Sequence, residues 1–183
     1  MLILLGVVVL AALWAVATYN GLVRRKNVVA EAWSGIEAQL KRRADLIPNL
    51  VETVKGYAGH ERETLEDLAK LRSQGQTQTD VAARAQTEQA ITAAIGRVLA
   101  VAEAYPQLRA SENFQSLQKD LAEVEDQIQL ARRYYNGAVR DLNVMIEQFP
   151  SHLVANWGGF KPAPFFQIED AADRAVPKVS FPP

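Results

Sequence analysis

The chain has no cysteine among its 183 residues, which excludes disulfides and thiol chemistry and leaves the redox compartment open. Histidine is almost as scarce, with only His60 and His152. His60-Glu61 begins a zinc-type H-E-x-x-H signature, but Thr64 stands where the second ligand belongs. Neither histidine has a glutamate three residues before it, since Tyr57 and Phe149 occupy those places, so the di-iron bundle signature is missing too. No G-x-S-x-G elbow, phosphate-binding loop or dinucleotide glycine fingerprint occurs. No catalytic, cofactor or metal site is therefore expected. Net charge is lacking as well: 20 basic against 21 acidic residues leave −1, which gives no global attraction to nucleic acid. Proline is rare before position 150, where only Pro48 and Pro106 occur, and the other six of the eight follow from Pro150 on. The two parts of the chain are different materials.

What the sequence does have is helical periodicity. Phe114, Leu117, Leu121, Val124, Ile128, Ala131, Tyr135, Ala138, Leu142, Met145 and Phe149 alternate in steps of three and four. That is the apolar seam of a helix packed against neighbours, a rod of roughly 55 Å. Ser111 stands at its N-cap, where the hydroxyl can accept a first-turn N–H, and Phe149-Pro150 stops it. A second block over residues 27–72 carries Trp33, Ile36, Leu40, Ile47, Leu50, Val54 and Tyr57 on seam positions, with Arg43 in the remaining slot. Pro48 interrupts its hydrogen bonding but not its register, so a kinked continuous helix is expected rather than a hairpin. Gly75–Thr79 reads as a connection. Asp80 caps a third helix over about 80–104, with Val81, Ala85, Ile91, Ile95, Val98, Ala102 and Tyr105 as its apolar line. Short links imply antiparallel neighbours.

Residues Met1 to Thr18 carry no charged side chain, long enough as a helix to cross a bilayer with its interface. Ala15-Val16-Ala17 resembles a signal cleavage site, but no basic region precedes the apolar run, which favours an uncleaved anchor. Arg24, Arg25 and Lys26 form a membrane collar and place the body in the cytoplasm by the positive-inside rule, with a periplasmic body as the alternative. The fold class is thus all-α: a transmembrane helix over 1–19, then an elongated antiparallel bundle over 20–149. That bundle has three long helices, or four if the first breaks at Pro48. Residues 150–183 form an extended aromatic and proline-rich tail.

Two polar groups stand out beside the seams: Gln39, Arg42, Arg43, Asp45 and Asn49 around Pro48, and Glu125, Arg132, Asn136 and Asn143 along the rod. They read as interhelical pairs that fix register rather than as a ligand pocket. Trp157, Phe160, Phe165 and Phe166 have no evident home on the bundle and are expected to make an oligomer contact with a neighbouring subunit.

The runs Glu31-Ala32-Trp33, Gln39-Leu40-Lys41-Arg42-Arg43, Asp45-Leu46-Ile47-Pro48-Asn49-Leu50-Val51 and Lys55-Gly56-Tyr57-Ala58 resemble the LemA family. So do Glu103-Ala104-Tyr105-Pro106, Glu112-Asn113-Phe114, Ala131-Arg132-Arg133 and Tyr135-Asn136. The resemblance implies a bacterial single-pass membrane protein with a helical-bundle domain and no known enzymatic activity. The expected function is a scaffold of the bacterial envelope that self-associates as a homo-oligomer at the inner membrane, with the lipid bilayer as first partner. A second reading is an adaptor that docks a membrane protease or other envelope protein.

Overall fold

The computed structural model describes residues 1–58 and 60–167, and all regular structure within them is helical. The helices are α1 (Leu2–Lys55), α2 (Arg62–Thr77), α3 (Val81–Glu103), α4 (Pro106–Arg109), α5 (Glu112–Glu147) and α6 (Ser151–Trp157). The all-α class stands, and α1 contains a window long and apolar enough to cross a membrane, almost none of it buried. Tail residues beyond Gln167, Phe181 among them, lie outside the described residues.

α1 runs 54 residues without interruption from the apolar run into the bundle, so anchor and bundle share one helix. Pro48 lies inside it. A proline has no N–H to give to the carbonyl four residues back, here that of Ala44. Arg72 of α2 supplies the missing donor, with Nε at 2.6 Å from the Ala44 oxygen. The lost helical bond thus becomes the docking point for the next helix.

The block expected over 27–72 does break, but well after the proline. α1 stops at Lys55, and Tyr57 and Ala58 both donate back to Val54 as the chain turns. Glycine costs about 1 kcal/mol in a helix interior, and the sequence places Gly56 and Gly59 close together there. Tyr57 consequently leaves the seam and is exposed. Four helices of more than ten residues result among the described residues, rather than three.

α1 and α5 run against each other. Arg42 meets Glu123, Trp33 stacks on Tyr135, and Gly21 faces Met145, so one number falls as the other rises. Their shared core holds Ala32, Ile36, Leu40, Val124, Ile128, Tyr135 and Val139. α2 and α3 close the far end around Leu50, Val54, Leu68, Ile91, Val98 and Leu108. Toward its end the α5 seam shifts from Ala138 and Met145 to Val139 and Ile146, and Phe149 is left 79% exposed. A straight helix of 3.6 residues per turn drifts off a strict seven-residue repeat, and this is that drift.

Three local expectations also change. α2 extends through Gly75 to Thr77, so the link to α3 is shorter than the expected Gly75–Thr79. Gly75 is buried, and a β-carbon there would sit 3.2 Å from Ile91 Cδ1, so glycine lets α2 and α3 approach closely. Asp80 does cap α3, accepting from the Ala83 N–H at 2.8 Å, but Ser111 makes no side-chain cap bond to α5. The tail opens not as extended chain but as α6. That helix ends in a Schellman turn, in which Phe160 N–H donates to Ala155 and Gly159 N–H to Asn156. Gly159 takes the required positive φ of 68°.

Candidate functional site

The seam slot filled by Arg43 becomes the centre of a buried ionic cluster. Arg43 is 2% exposed. Its guanidinium donates to Glu88 Oε2 at 2.5 Å, to Glu125 Oε2 at 2.7 Å, to Thr92 Oγ1 at 2.7 Å and to the Glu88 carbonyl at 3.2 Å. Arg84 lies one helical turn before Glu88, with its Nε 2.7 Å from Glu88 Oε1 but not aligned as a hydrogen bond. Arg84 also donates to the Gly75 carbonyl at the end of α2, where a cation offsets the partial negative charge of the helix terminus. Two arginines face two glutamates, so the cluster is neutral while it joins α1, α2, α3 and α5. Within the Arg43 guanidinium, Nε alone is left without a hydrogen-bond partner among the described residues.

Glu125 of the second expected polar group joins Arg43 here, while Asp45 and Asn49 of Arg43's own group do not. Asp45 faces solvent and pairs with Lys41 at 3.1 Å on its own helix, which contributes little to stability. Asn49 is exposed as well. Glu88 and Arg84 escape a reading of the sequence, although the apolar line of α3 skips from Ala85 to Ile91 and position 88 is the slot between them.

Asn136 and Asn143 do something other than pair helices. Each side-chain amide binds one residue of the tail through both backbone groups, as a neighbouring β-strand would. Asn136 Nδ2 donates to the Phe166 carbonyl at 3.1 Å while its Oδ1 accepts the Phe166 N–H at 2.9 Å. Asn143 repeats this with Ala163 at 3.0 and 2.8 Å. Between them the Tyr135 hydroxyl donates to the Pro164 carbonyl at 2.9 Å. Burial pushes the Tyr135 phenol above its ordinary value, which keeps it a donor. Arg132, expected in the same row, makes no hydrogen bond or ion pair within the described residues.

The strap held in this way carries Phe166 into the core, fully buried, with its ring 5.7 Å from that of Trp33. The expectation that Phe160 and Phe166 have no home on the bundle is corrected here, whereas Trp157 and Phe165 stay outward. The strap's backbone is recognised by α5, and a recognised backbone leaves no side-chain pattern to read. Phe160 packs edge-on against Tyr19 at 5.5 Å, Phe165 is 38% exposed, and Trp157 is 84% exposed.

Arg24, Arg25 and Lys26 all face solvent just beyond the apolar run. Among the described residues no group of three or more His, Cys, Asp or Glu side chains is placed to hold a metal ion. His60 is exposed and His152 leans on the Phe149 ring.

The sequence profile of the LemA family matches residues 32–181. Magnetosome protein MamQ 1 and Magnetosome protein MamQ 2 of Paramagnetospirillum magneticum are each 27% identical over 184 residues, covering 86% of this chain and 68% of the relative. Protein LemA of Metamycoplasma hominis is 28% identical, covering 74% of this chain and 63% of that protein.

Proposed function

The chain belongs to the LemA family, and from that premise we propose that it is a non-enzymatic scaffold anchored in the bacterial inner membrane. One observation carries the reading: α1 is a single helix from the apolar run to the ionic cluster. A hinge at the membrane surface would let the bundle tumble, whereas a continuous helix holds it at fixed height and angle. Fixed presentation is what a lattice of neighbouring copies needs. The anchor over 1–19, the elongated antiparallel bundle over 20–149 and the tail over 150–183 are the working parts of this proposal. The exposed collar of Arg24, Arg25 and Lys26 orients the bundle toward the cytoplasm.

Self-association is assigned to outward apolar groups on the bundle. Leu130 and Tyr134 lie one turn apart on α5 and are 50% and 58% exposed, and Phe165 of the strap is partly exposed too. Phe166 is already buried against its own chain and contributes only by holding the strap in place. Light scattering on the detergent-purified chain tests this. An oligomer should appear and should shrink in the Leu130→Ser/Tyr134→Ser variant without loss of helix. A monomer at every protein concentration would sink the scaffold reading.

A further inference from the structure

We propose that the junction of α1 and α6 is a binding site for an anionic phospholipid drawn from the surrounding bilayer. The proposal rests on the reading of α1 as a membrane anchor. Two adjoining cavities lie there, and Tyr19 and Gly158 line both. The first, about 770 Å³, is walled by Ala12, Ala15 and Val16 of α1 and by Leu153, Val154 and Trp157 of α6. Every one of these six is apolar. The second, about 630 Å³, holds Lys26 and Lys161 at its edge and no carboxylate among its lining residues.

The identity of the occupant follows from the wall that α1 provides. Ala12, Ala15 and Val16 belong to the same apolar stretch that must lie in hydrocarbon if α1 spans the membrane. Whatever fills a groove cut into that stretch is therefore hydrocarbon, which means an acyl chain. Trp157 marks the other wall, 84% exposed, with its ring 6.3 Å from Tyr19 in an edge-on contact. An indole so placed suits the membrane–water boundary, where its apolar body and N–H face different media. Gly158, shared by both cavities, lets the Phe160 and Tyr19 rings close on it, since a β-carbon there would meet Phe160 at 2.7 Å and Tyr19 at 3.1 Å.

The second cavity selects the headgroup. The side chains of Lys26 and Lys161 form no ion pair and no hydrogen bond with any other described residue. Two ammonium groups beside one cavity, above an apolar groove, match a phosphate-bearing lipid with net negative charge. A zwitterionic headgroup would gain less from the same pair, because its own cation meets the lysines. Lys161 stands in the tail, so the lipid would join the tail to the anchor through a partner that belongs to neither.

Short-range quenching by brominated acyl chains tests the site. Full-length protein with a single tryptophan, either Trp14 or Trp157 with the others changed to Phe, is reconstituted into phosphatidylcholine vesicles. Brominated phosphatidylglycerol or brominated phosphatidylcholine is then added at equal mole fraction. Trp14 should be quenched by both lipids alike. Trp157 should be quenched more strongly by phosphatidylglycerol, about fivefold in apparent affinity for each lysine. Lys26→Gln/Lys161→Gln should remove that preference and leave Trp14 unchanged. Quenching of Trp14 without Trp157 would overturn the lipid site and leave the anchor standing. Equal quenching of Trp157 by the two lipids would overturn the anionic headgroup. Failure to quench Trp14 would overturn the anchor and the site together.

Discussion

Arg43 and Asn136 both stand where a bundle would ordinarily show an apolar or solvated side chain, yet they are satisfied by opposite means. Arg43 meets two carboxylates from two other helices, so what it requires is charge of the right sign at a buried point. Asn136 meets the N–H and C=O of one residue, so what it requires is an extended backbone, whatever its side chains. The first contact fixes which helices assemble. The second fixes where an irregular segment lies on a finished bundle. Chain order within the fold follows the same division, because ions join the helices and amides hold the strap.

The sharpest way to break this comparison is to remove the charge on one side only. Arg43→Leu leaves Glu88 buried with Arg84 alone, and loss of about 3–5 kcal/mol is expected in chemical denaturation. Arg43→Leu with Glu88→Leu should recover most of that, since a matched apolar pair replaces a matched ionic one. Equal destabilisation of the single and double variants would show that packing, not charge, is the requirement.

Arg72 lies between the two cases, a cation that satisfies backbone. Arg72→Met should cost about 1.5–3 kcal/mol, the range for a hydrogen bond to a charged group. In a Pro48→Ala background the same change should cost less, because an alanine in place of the proline would return an N–H to the Ala44 carbonyl. A cost unchanged by the proline would mean that Arg72 acts through something other than that carbonyl.

Asn136→Ala should cost about 1–3 kcal/mol by stranding two backbone groups at Phe166, while Asn136→Asp keeps only the acceptor half. Faster proteolysis of the strap, with the ionic cluster intact, is the accompanying signature.

The smallest effect is expected at Tyr135, about 1 kcal/mol for Tyr135→Phe. Its folded-state value is raised by burial, so the contribution of the neutral phenol is complete below the ordinary value of about 10. It is lost as pH rises through the higher folded value. Denaturation of the native protein at strongly alkaline pH should show that loss, and Tyr135→Phe should lack it.

Much of the helical framework is legible in the sequence because it rests on apolar spacing. Arg43 is legible for the same reason, as the polar residue in an apolar slot. Its partner Glu88 is not, because a missing apolar residue reads as a gap until the cation opposite is known. Asp45 and Asn49 group with Arg43 by nearness in sequence, but on a helix they point elsewhere. The spacing of seven between Asn136 and Asn143 is visible, whereas their ligand is not, since a backbone leaves no mark in the letters that encode it. The break after Lys55 is hidden by a seam pattern that continues to Tyr57 and outweighs two glycines.

The unbroken course of α1 has a consequence of phase. Each residue turns an α-helix by about 100°, so the face of the span that meets α6 is locked in azimuth to the face that meets α5. Thr18 and Leu22, one turn apart and both buried, are where the two faces run into each other. One residue inserted near Asn20 would swing the bundle a little over a quarter turn about the anchor and would pull Tyr19 away from Trp157 and Phe160. Seven inserted residues would bring it back almost to its starting bearing, lifted about 10 Å farther from the bilayer. In such a molecule the length of the stem is also a compass setting.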